Sequence, residues 1–291
     1  MNNKQSLACK AGKIHILTAV HNDLHDTIKL LKCIYSQTYK NFDVYLVDDG
    51  SSDGTREYVS RKYPEVNLLK GDGNLWWTGS LNLGLKSILK RASGNDYIWI
   101  INNDCYFDKN TLEELYNFGE AHGGIGNIVG SVVVDAKTKK IWDSGVRINW
   151  HSMKFSKFNF TEKKVEADAL STKGTLYPAS VFKVVGLFDA KHFPHYFSDY
   201  EFSIRAKAAS YHLLINPSCI IYNEIARTGI EKAPQSFKPF EMFKVLFSKK
   251  SKISFATQIN IIRYVCPPEY RLENYLKLVR KMLSYPFQVF H

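Results

Sequence analysis

The sequence predicts an α/β protein whose amino-terminal half is a parallel, doubly wound sheet, and three observations carry that expectation. Between Lys13 and Asp104, short β-branched and aromatic runs alternate with amphipathic stretches of helical length, an order that calls for crossover connections. Two of these runs end in carboxylates, at Asp48-Asp49 and at Asp104. A chain of 291 residues with 45% hydrophobic and 23% charged residues has enough apolar material to cover both faces of such a sheet.

The strand-like runs are Ile14–Val20, Phe42–Val47, Val66–Leu69 and Tyr97–Ile101, with helices expected over about 25–36, 53–62 and 77–92. In the third helix Trp77, Leu81, Leu85, Ile88 and Leu89 share one face, the side that packs on a sheet. Strand-like pieces at 125–134, 140–149 and 153–160 have no long helix between them, so the second half reads as a mixed extension of the sheet, with a further helix over 198–210. From about Phe237 two amphipathic stretches follow. One has Phe240, Phe243 and Phe247 in step, and the other Leu272, Tyr275, Leu276, Val279 and Met282. No internal repeat or low-complexity segment is present.

Charge and cysteine content narrow the class. Residues 231–291 hold 11 Lys/Arg against 4 Asp/Glu and so supply +7 of the net +11. The excess belongs to the tail, and no RNA- or DNA-binding motif accompanies it, so nucleic acid is not an expected partner. Five cysteines, widely spread and never Cys-x-x-Cys, suggest neither a disulfide framework nor a zinc ribbon. No apolar run approaches the roughly 20 residues that cross a bilayer, and the polar start has no signal-peptide core. A reducing cytoplasmic setting is expected.

Polar groups at strand ends carry the chemistry, because open α/β sheets bind ligands beyond the carboxyl ends of their strands. The second strand runs into Asp48-Asp49-Gly50-Ser51-Ser52-Asp53-Gly54-Thr55, which also suits an ordinary turn capped by Asp53. The fourth ends in Ile101-Asn102-Asn103-Asp104 and delivers an acid to the same edge, as a hard cation beside a diphosphate requires. The segment from Gly73 to Gly84 contains Asn74 and adjacent tryptophans. Trp77 belongs to the packed stripe, whereas Trp76 offers flat apolar surface for a sugar or nucleoside. Aromatic residues flank Asp199 and suit a carboxylate that accepts a proton, while Glu201 and Arg205 form a helix ion pair. No Gly-x-Gly-x-x-Gly follows the first strand and no Walker lysine motif occurs, so dinucleotide dehydrogenases and P-loop enzymes lose support.

Together these segments, over about residues 13–225, resemble the inverting family 2 glycosyltransferases of GT-A fold. Thr18-Ala19-Val20-His21-Asn22 is similar to the family's opening strand, and the Asp48-Asp49 segment to its most recognisable motif. The resemblance implies that Asp49 holds the nucleoside base, with Thr18 and Val20 lining the same pocket. Asn102-Asn103-Asp104 resembles a variant of the metal-binding Asp-x-Asp motif common among rhamnosyltransferase-like members. That implies Asp104 as ligand to Mn2+ or Mg2+, with Asn103 near the ribose. Phe197-Ser198-Asp199-Tyr200-Glu201 resembles the segment that supplies the catalytic base, here Asp199, although Ser198 departs from the usual Glu. Glu201 is next in line as base. Where some relatives place a metal-binding His, this chain has Tyr222-Asn223-Glu224, so Asn223 and Glu224 stand as candidates for a further ligand.

The resemblance implies a nucleotide-sugar-binding fold with a doubly wound mixed sheet. Its catalytic domain spans 1–230, divided into a nucleotide-sugar half over 13–104 and an acceptor half over 105–230, and a basic amphipathic helical tail spans 231–291. It further implies a nucleotide-sugar donor, dTDP-rhamnose or a UDP-hexose, and a glycan acceptor. Asp199 takes the acceptor hydroxyl proton and a single displacement inverts the anomeric centre. The basic tail beside an aromatic face predicts contact with an anionic membrane surface at the inner face of the cell membrane, where lipid-linked glycans are extended, or helices packed on the catalytic domain with solvated lysines. Two rivals remain. A metal-dependent nucleotidyltransferase also ends parallel strands in acids but releases pyrophosphate, and a non-catalytic carbohydrate-binding module turns over no donor.

Overall fold

The computed structural model describes residues 12–158, 165–224 and 254–288. The first half alternates as expected: β1 (Ile14–Val20), α1 (Leu24–Tyr35), β2 (Phe42–Asp48), α2 (Thr55–Lys62), β3 (Asn67–Lys70), α3 (Trp76–Leu89) and β4 (Tyr97–Ile100). Strands β3, β2, β1 and β4 lie side by side in that order and all parallel. The order reverses at β1, which opens a crevice between the carboxyl ends of β1 and β4, the position at which such sheets bind ligands.

Both faces of this sheet are covered, and the alternation of the strands shows it. Leu17, Tyr45, Val47, Ile98 and Ile100 enter one core with Leu81, Leu85 and Ile88 of α3. Their neighbours Ile16, Val44, Leu46, Tyr97 and Trp99 enter the other with Leu30, Leu31 and Ile34 of α1.

In the second half come β5 (Cys105–Phe107), α4 (Thr111–Ala121), β6 (Asn127–Asp135), β7 (Ile141–Asp143), β8 (Val146–Asn149), β9 (Lys154–Lys157), β10 (Val165–Glu166) and β11 (Thr175–Pro178). After them stand α5 (Val181–Val184), α6 (Ser198–Ala208) and β12 (His212–Asn223). Strand β11 runs antiparallel between β4 and β6, and β12 pairs in parallel with β6, so the sheet is mixed, as expected. Two differences from the sequence reading stand out. The piece at 140–149 is two strands, because the Asp143 carboxylate accepts the Gly145 N–H at 2.9 Å and turns the chain out of the large sheet into a β8–β9 hairpin. Helix α4 was not anticipated; its Leu112 and Leu115 fill the core beneath Trp99 and Phe107.

The described part of the tail is helical and docked. Helix α7 (Phe255–Asn260) leads through a π-helical turn at Ile261–Val265 into α8 (Pro268–Gln288). Phe255, Ile262 and Leu278 form a small core with Met153. Asn260 Nδ2 donates to the His192 carbonyl at 2.8 Å, Tyr264 stacks on the His192 ring, and Asn274 Nδ2 donates to the Trp150 carbonyl at 2.7 Å. Phe240, Phe243 and Phe247 lie outside the described residues.

Candidate active site

The loop after β2 and the loop before α3 are built around one carboxylate. Asp49 Oδ1 accepts the Gly73 N–H at 2.8 Å, and Oδ2 accepts those of Leu75 and Trp76 at 3.0 and 3.1 Å. It therefore sits on the amino terminus of α3, where the helix dipole and unpaired N–H groups favour an anion. Trp76 has a left-handed backbone, φ 58°, a conformation costing a non-glycine residue about 1–2 kcal/mol. Hydrogen bonds to a charged acceptor contribute about 1.5–3 kcal/mol each, so three of them outweigh the strain. The close approach requires Gly71, since a Cβ there would lie 2.4 Å from Asp49 Oδ1. The half-buried Trp76 ring packs edge-on against His195 at 5.7 Å, Trp77 joins the core as expected, and Asn74 is exposed at the rim. Thr18 and Val20 are buried within β1, and the Val20 carbonyl accepts the Asp49 N–H at 2.9 Å. The cap position of α2 is held by Gly54 rather than by the expected Asp53, whose carboxylate, one residue earlier, accepts from Thr55 N at 3.1 Å and from Leu24 N at 2.9 Å, joining the starts of α1 and α2.

Beyond β4, Asp104 lines a surface pocket with Asp26, Lys29, Asn103, Tyr106 and Glu224. Among the described residues no three His, Cys, Asp or Glu side chains gather as a metal cage. The oxygen donors of that lining are hard, and Asn102, next in sequence to Asn103, has its Oδ1 buried with no partner among the described residues. That set fits a cation such as Mg2+ or Mn2+, which takes one or two carboxylates and leaves its other positions to phosphate and water. Asn223 is spent elsewhere. Fully buried at the end of β12, it donates through Nδ2 to the Asp104 carbonyl at 3.1 Å and accepts from Lys173 Nζ at 3.0 Å. Glu224 pairs with Lys137 at 3.6 Å. Lys173 was missed by the sequence reading; its only signal there is a basic residue in the turn Ser171-Thr172-Lys173-Gly174 ahead of a strand. The Cys105 thiol is pushed up by burial and by Asp104, and held back by Lys173.

Asp199 stands in the first turn of α6, entered through Phe197 in a left-handed backbone, φ 74°. The entry is stitched to α3, because the Thr78 hydroxyl donates to the Phe193 carbonyl at 2.7 Å and lies 2.9 Å from the buried Ser198 Oγ. Ser198 thus braces the turn. Phe155 of β9 meets Phe197 edge-on at 5.4 Å and stacks on Tyr200 at 6.0 Å, giving an aromatic wall beside Asp199. Burial raises the Tyr177 and Tyr200 hydroxyls well above their ordinary value, and the Asp199 charge adds to both. Asp143 also acts on Tyr200. Phe155 and Asp143 come from distant sequence and carried no signal of their own. Glu201 is buried in a pair with Arg205, whose guanidinium also donates to the Val185 carbonyl at 2.6 Å and the Leu187 carbonyl at 2.9 Å. As expected from its spacing, that pair is structural.

Asp49 and Asp104 thus follow parallel strands of a mixed sheet at its carboxyl edge, and α6, which carries Asp199, is tied to the first turn of α3; the fold is shared with GT-A-like proteins of known structure. Staphylococcus aureus TarS superposes with a TM-score of 0.58 at 16% identity, over 94% of this chain and 44% of that one. A mannosyltransferase from Pyrobaculum calidifontis, solved with GDP-Man and Mn2+, does so with a TM-score of 0.55 at 13% identity, over 95% of this chain and 72% of that one. The model of glycosyl transferase family 2 matches residues 15–186, and the chain belongs to that family. Among curated relatives, glycosyltransferase GlyA of Streptococcus pneumoniae is 25% identical over 188 residues, 59% of this chain and 25% of that protein. The amylovoran biosynthesis glycosyltransferase AmsB of Erwinia amylovora is 31% identical over 117 residues, 38% of this chain and 37% of that protein. The aligned stretch therefore spans well under half of either relative.

Proposed function

We propose that this chain transfers a sugar from a nucleoside-diphosphate donor, dTDP-rhamnose or a UDP-hexose, to a glycan acceptor, with inversion, in the synthesis of a bacterial surface polysaccharide. The observation that carries the reading is the placement of Asp49 and Asp104 beyond the carboxyl ends of parallel strands on either side of β1, with the helix of Asp199 tied through Ser198 to the first turn of α3, in a family 2 chain. Support also comes from TarS, solved with UDP-GlcNAc, from the mannosyltransferase solved with GDP-Man and Mn2+, and from the name of AmsB.

In this reading Asp49 orients the 73–76 loop so that Trp76 and Asn74 border the nucleoside. Asn103 faces the ribose, and Asp104 holds a divalent cation. Bound there, Mn2+ or Mg2+ would supply positive charge to the leaving diphosphate. Asp199 accepts the proton of the attacking hydroxyl, and the sugar ring of the acceptor stacks on Phe155 and Phe197. The attack comes from the face opposite the diphosphate, which inverts the anomeric carbon.

The acceptor is taken to be lipid-linked and the workplace an anionic membrane surface at the inner face of the cell membrane. Support is the charge of the tail and the outer face of α8, where Leu272, Leu276 and Val279 are 72%, 53% and 50% exposed. No helix among the described residues is long and apolar enough to cross a membrane. Melting-temperature screens against nucleotide sugars with Mn2+ test the donor, because a bound donor raises stability by mass action. A shift of several degrees with one donor, followed by turnover of that donor to a product of inverted configuration, is expected. No shift with any nucleotide sugar, or release of pyrophosphate from a nucleoside triphosphate, overturns the reading.

A further inference from the structure

The turn that carries Lys173 is clamped on three sides. Gly174 N donates to the Ile100 carbonyl of β4 at 2.9 Å, the Ser131 hydroxyl of β6 donates to the Gly174 carbonyl at 2.6 Å, and the Thr175 hydroxyl donates to the Ser171 carbonyl at 2.6 Å. Gly174 has φ +78°, and a Cβ there would come within 2.6 Å of Ile221 Cγ1 in β12. The root of Lys173 is therefore held against the ends of β4 and β12.

Its ammonium reaches Asn223 Oδ1 at 3.0 Å, and the same amide donates to the Asp104 carbonyl, so Nζ stands two hydrogen bonds from Asp104. Among the described residues no carboxylate pairs with it. One hydrogen bond to a neutral amide leaves two N–H donors of a half-buried cation to be satisfied. A multi-oxygen anion beside Asp104 would complete them. A lysine engaged only in structure would be expected to face a fixed carboxylate.

We propose that Lys173 binds the diphosphate of the donor, as a cation belonging to the chain itself that acts alongside any metal held at Asp104. This rests on the reading of the site as a nucleotide-sugar pocket. Asn223 is then a positioning residue: its carbonyl oxygen aims the ammonium, and its amide ties that aim to the backbone of Asp104.

Calorimetry and ligand-observed NMR on the full chain, with UDP, dTDP and GDP and their matched nucleosides, test the idea in EDTA and again with Mn2+. For the diphosphate the wild type prefers, Lys173→Met is expected to weaken binding at least tenfold in EDTA while the nucleoside binds unchanged. Lys173→Arg should restore most of the loss. Equal diphosphate affinity of Lys173→Met and wild type in both buffers overturns the proposal. So does a parallel loss of nucleoside and diphosphate that Arg does not rescue, which would mark the lysine as structural. Wild-type protein that binds none of the three diphosphates in either buffer overturns the donor reading itself.

Discussion

At the scale of single residues, the site divides its acids by what holds them. Asp49 is committed to three backbone N–H groups, which fix the shape of the 73–76 loop. Asp199 stands beside an aromatic wall in a helix whose entry is braced by Thr78. Replacement by the isosteric amide, Asp199→Asn, removes basicity and keeps shape. Steady-state kinetics should show turnover lowered by about 10²–10⁴-fold, with donor affinity by calorimetry unchanged. Loss of donor binding together with turnover would move Asp199 into the donor pocket. Glu201 is no substitute base while Arg205 holds it. In the proposed reading Asp104 serves the diphosphate end of the site. Asp104→Ala should abolish metal-stimulated transfer, and the wild type should lose transfer in EDTA and regain it with Mn2+. Near-normal turnover of the variant in chelator would make Asp104 a turn residue only.

At the scale of elements, the strands that deliver these acids are buried on both faces, so polar groups inside them affect stability. His15 of β1 is buried against Tyr45, with Nε2 3.4 Å from Asp96 Oδ2. Burial holds the imidazole below its ordinary value of 6.5, and Asp96 and Asp43 offset only part of that. A depressed value means the unfolded chain takes up the proton first. The stability is thus fully present above about pH 6.5 and is lost as pH falls through the lower value of the folded state. Melting temperature measured between pH 7.5 and 5 should decline in the wild type and decline less steeply in His15→Gln, which cannot titrate. Equal slopes would mean that other groups govern the acid side.

At the scale of the whole molecule, the tail resolves into an inner and an outer face. The inner face of α8 packs through Asn274 and Leu278 onto the β8–β9 hairpin, while the π-helical turn before it touches the 189–196 loop through Tyr264. One contact lies on the hairpin that carries Phe155 and the other on the loop that leads into the helix of Asp199, so the tail borders that end of the proposed site. The outer face, with Leu272, Leu276 and Val279, is flanked by Arg280. Basic residues near anionic lipid contribute about 1 kcal/mol each. Full-length protein should float with phosphatidylglycerol liposomes, less so in high salt. Leu272→Glu with Leu276→Glu should reduce flotation while leaving melting temperature near that of the wild type. Flotation unchanged by the double substitution, or absent from the wild type, would remove α8 from the membrane. A concentration-dependent dimer lost in the variant would assign the same face to a second copy.

How far the sequence reaches follows from the range of the physics involved. Alternation of period two and the turn chemistry of Asp48–Thr55 are local, so β1 to β4, their connecting helices and the strand-end positions of Asp49 and Asp104 were legible from the chain itself. That these four strands run parallel followed from the crossovers, whereas their order 3-2-1-4 came only with the tertiary structure. Only the tertiary structure decided what those acids face. Asn223 meets Asp104 across 119 residues, Lys173 meets Asn223 across 50, and the paired strands β6, β11 and β12 hold all three in place. Phe155 reaches Asp199's wall through a hairpin that local pattern read as part of longer strands. Contacts of that kind depend on which strands become neighbours, and no periodicity within either segment records the choice.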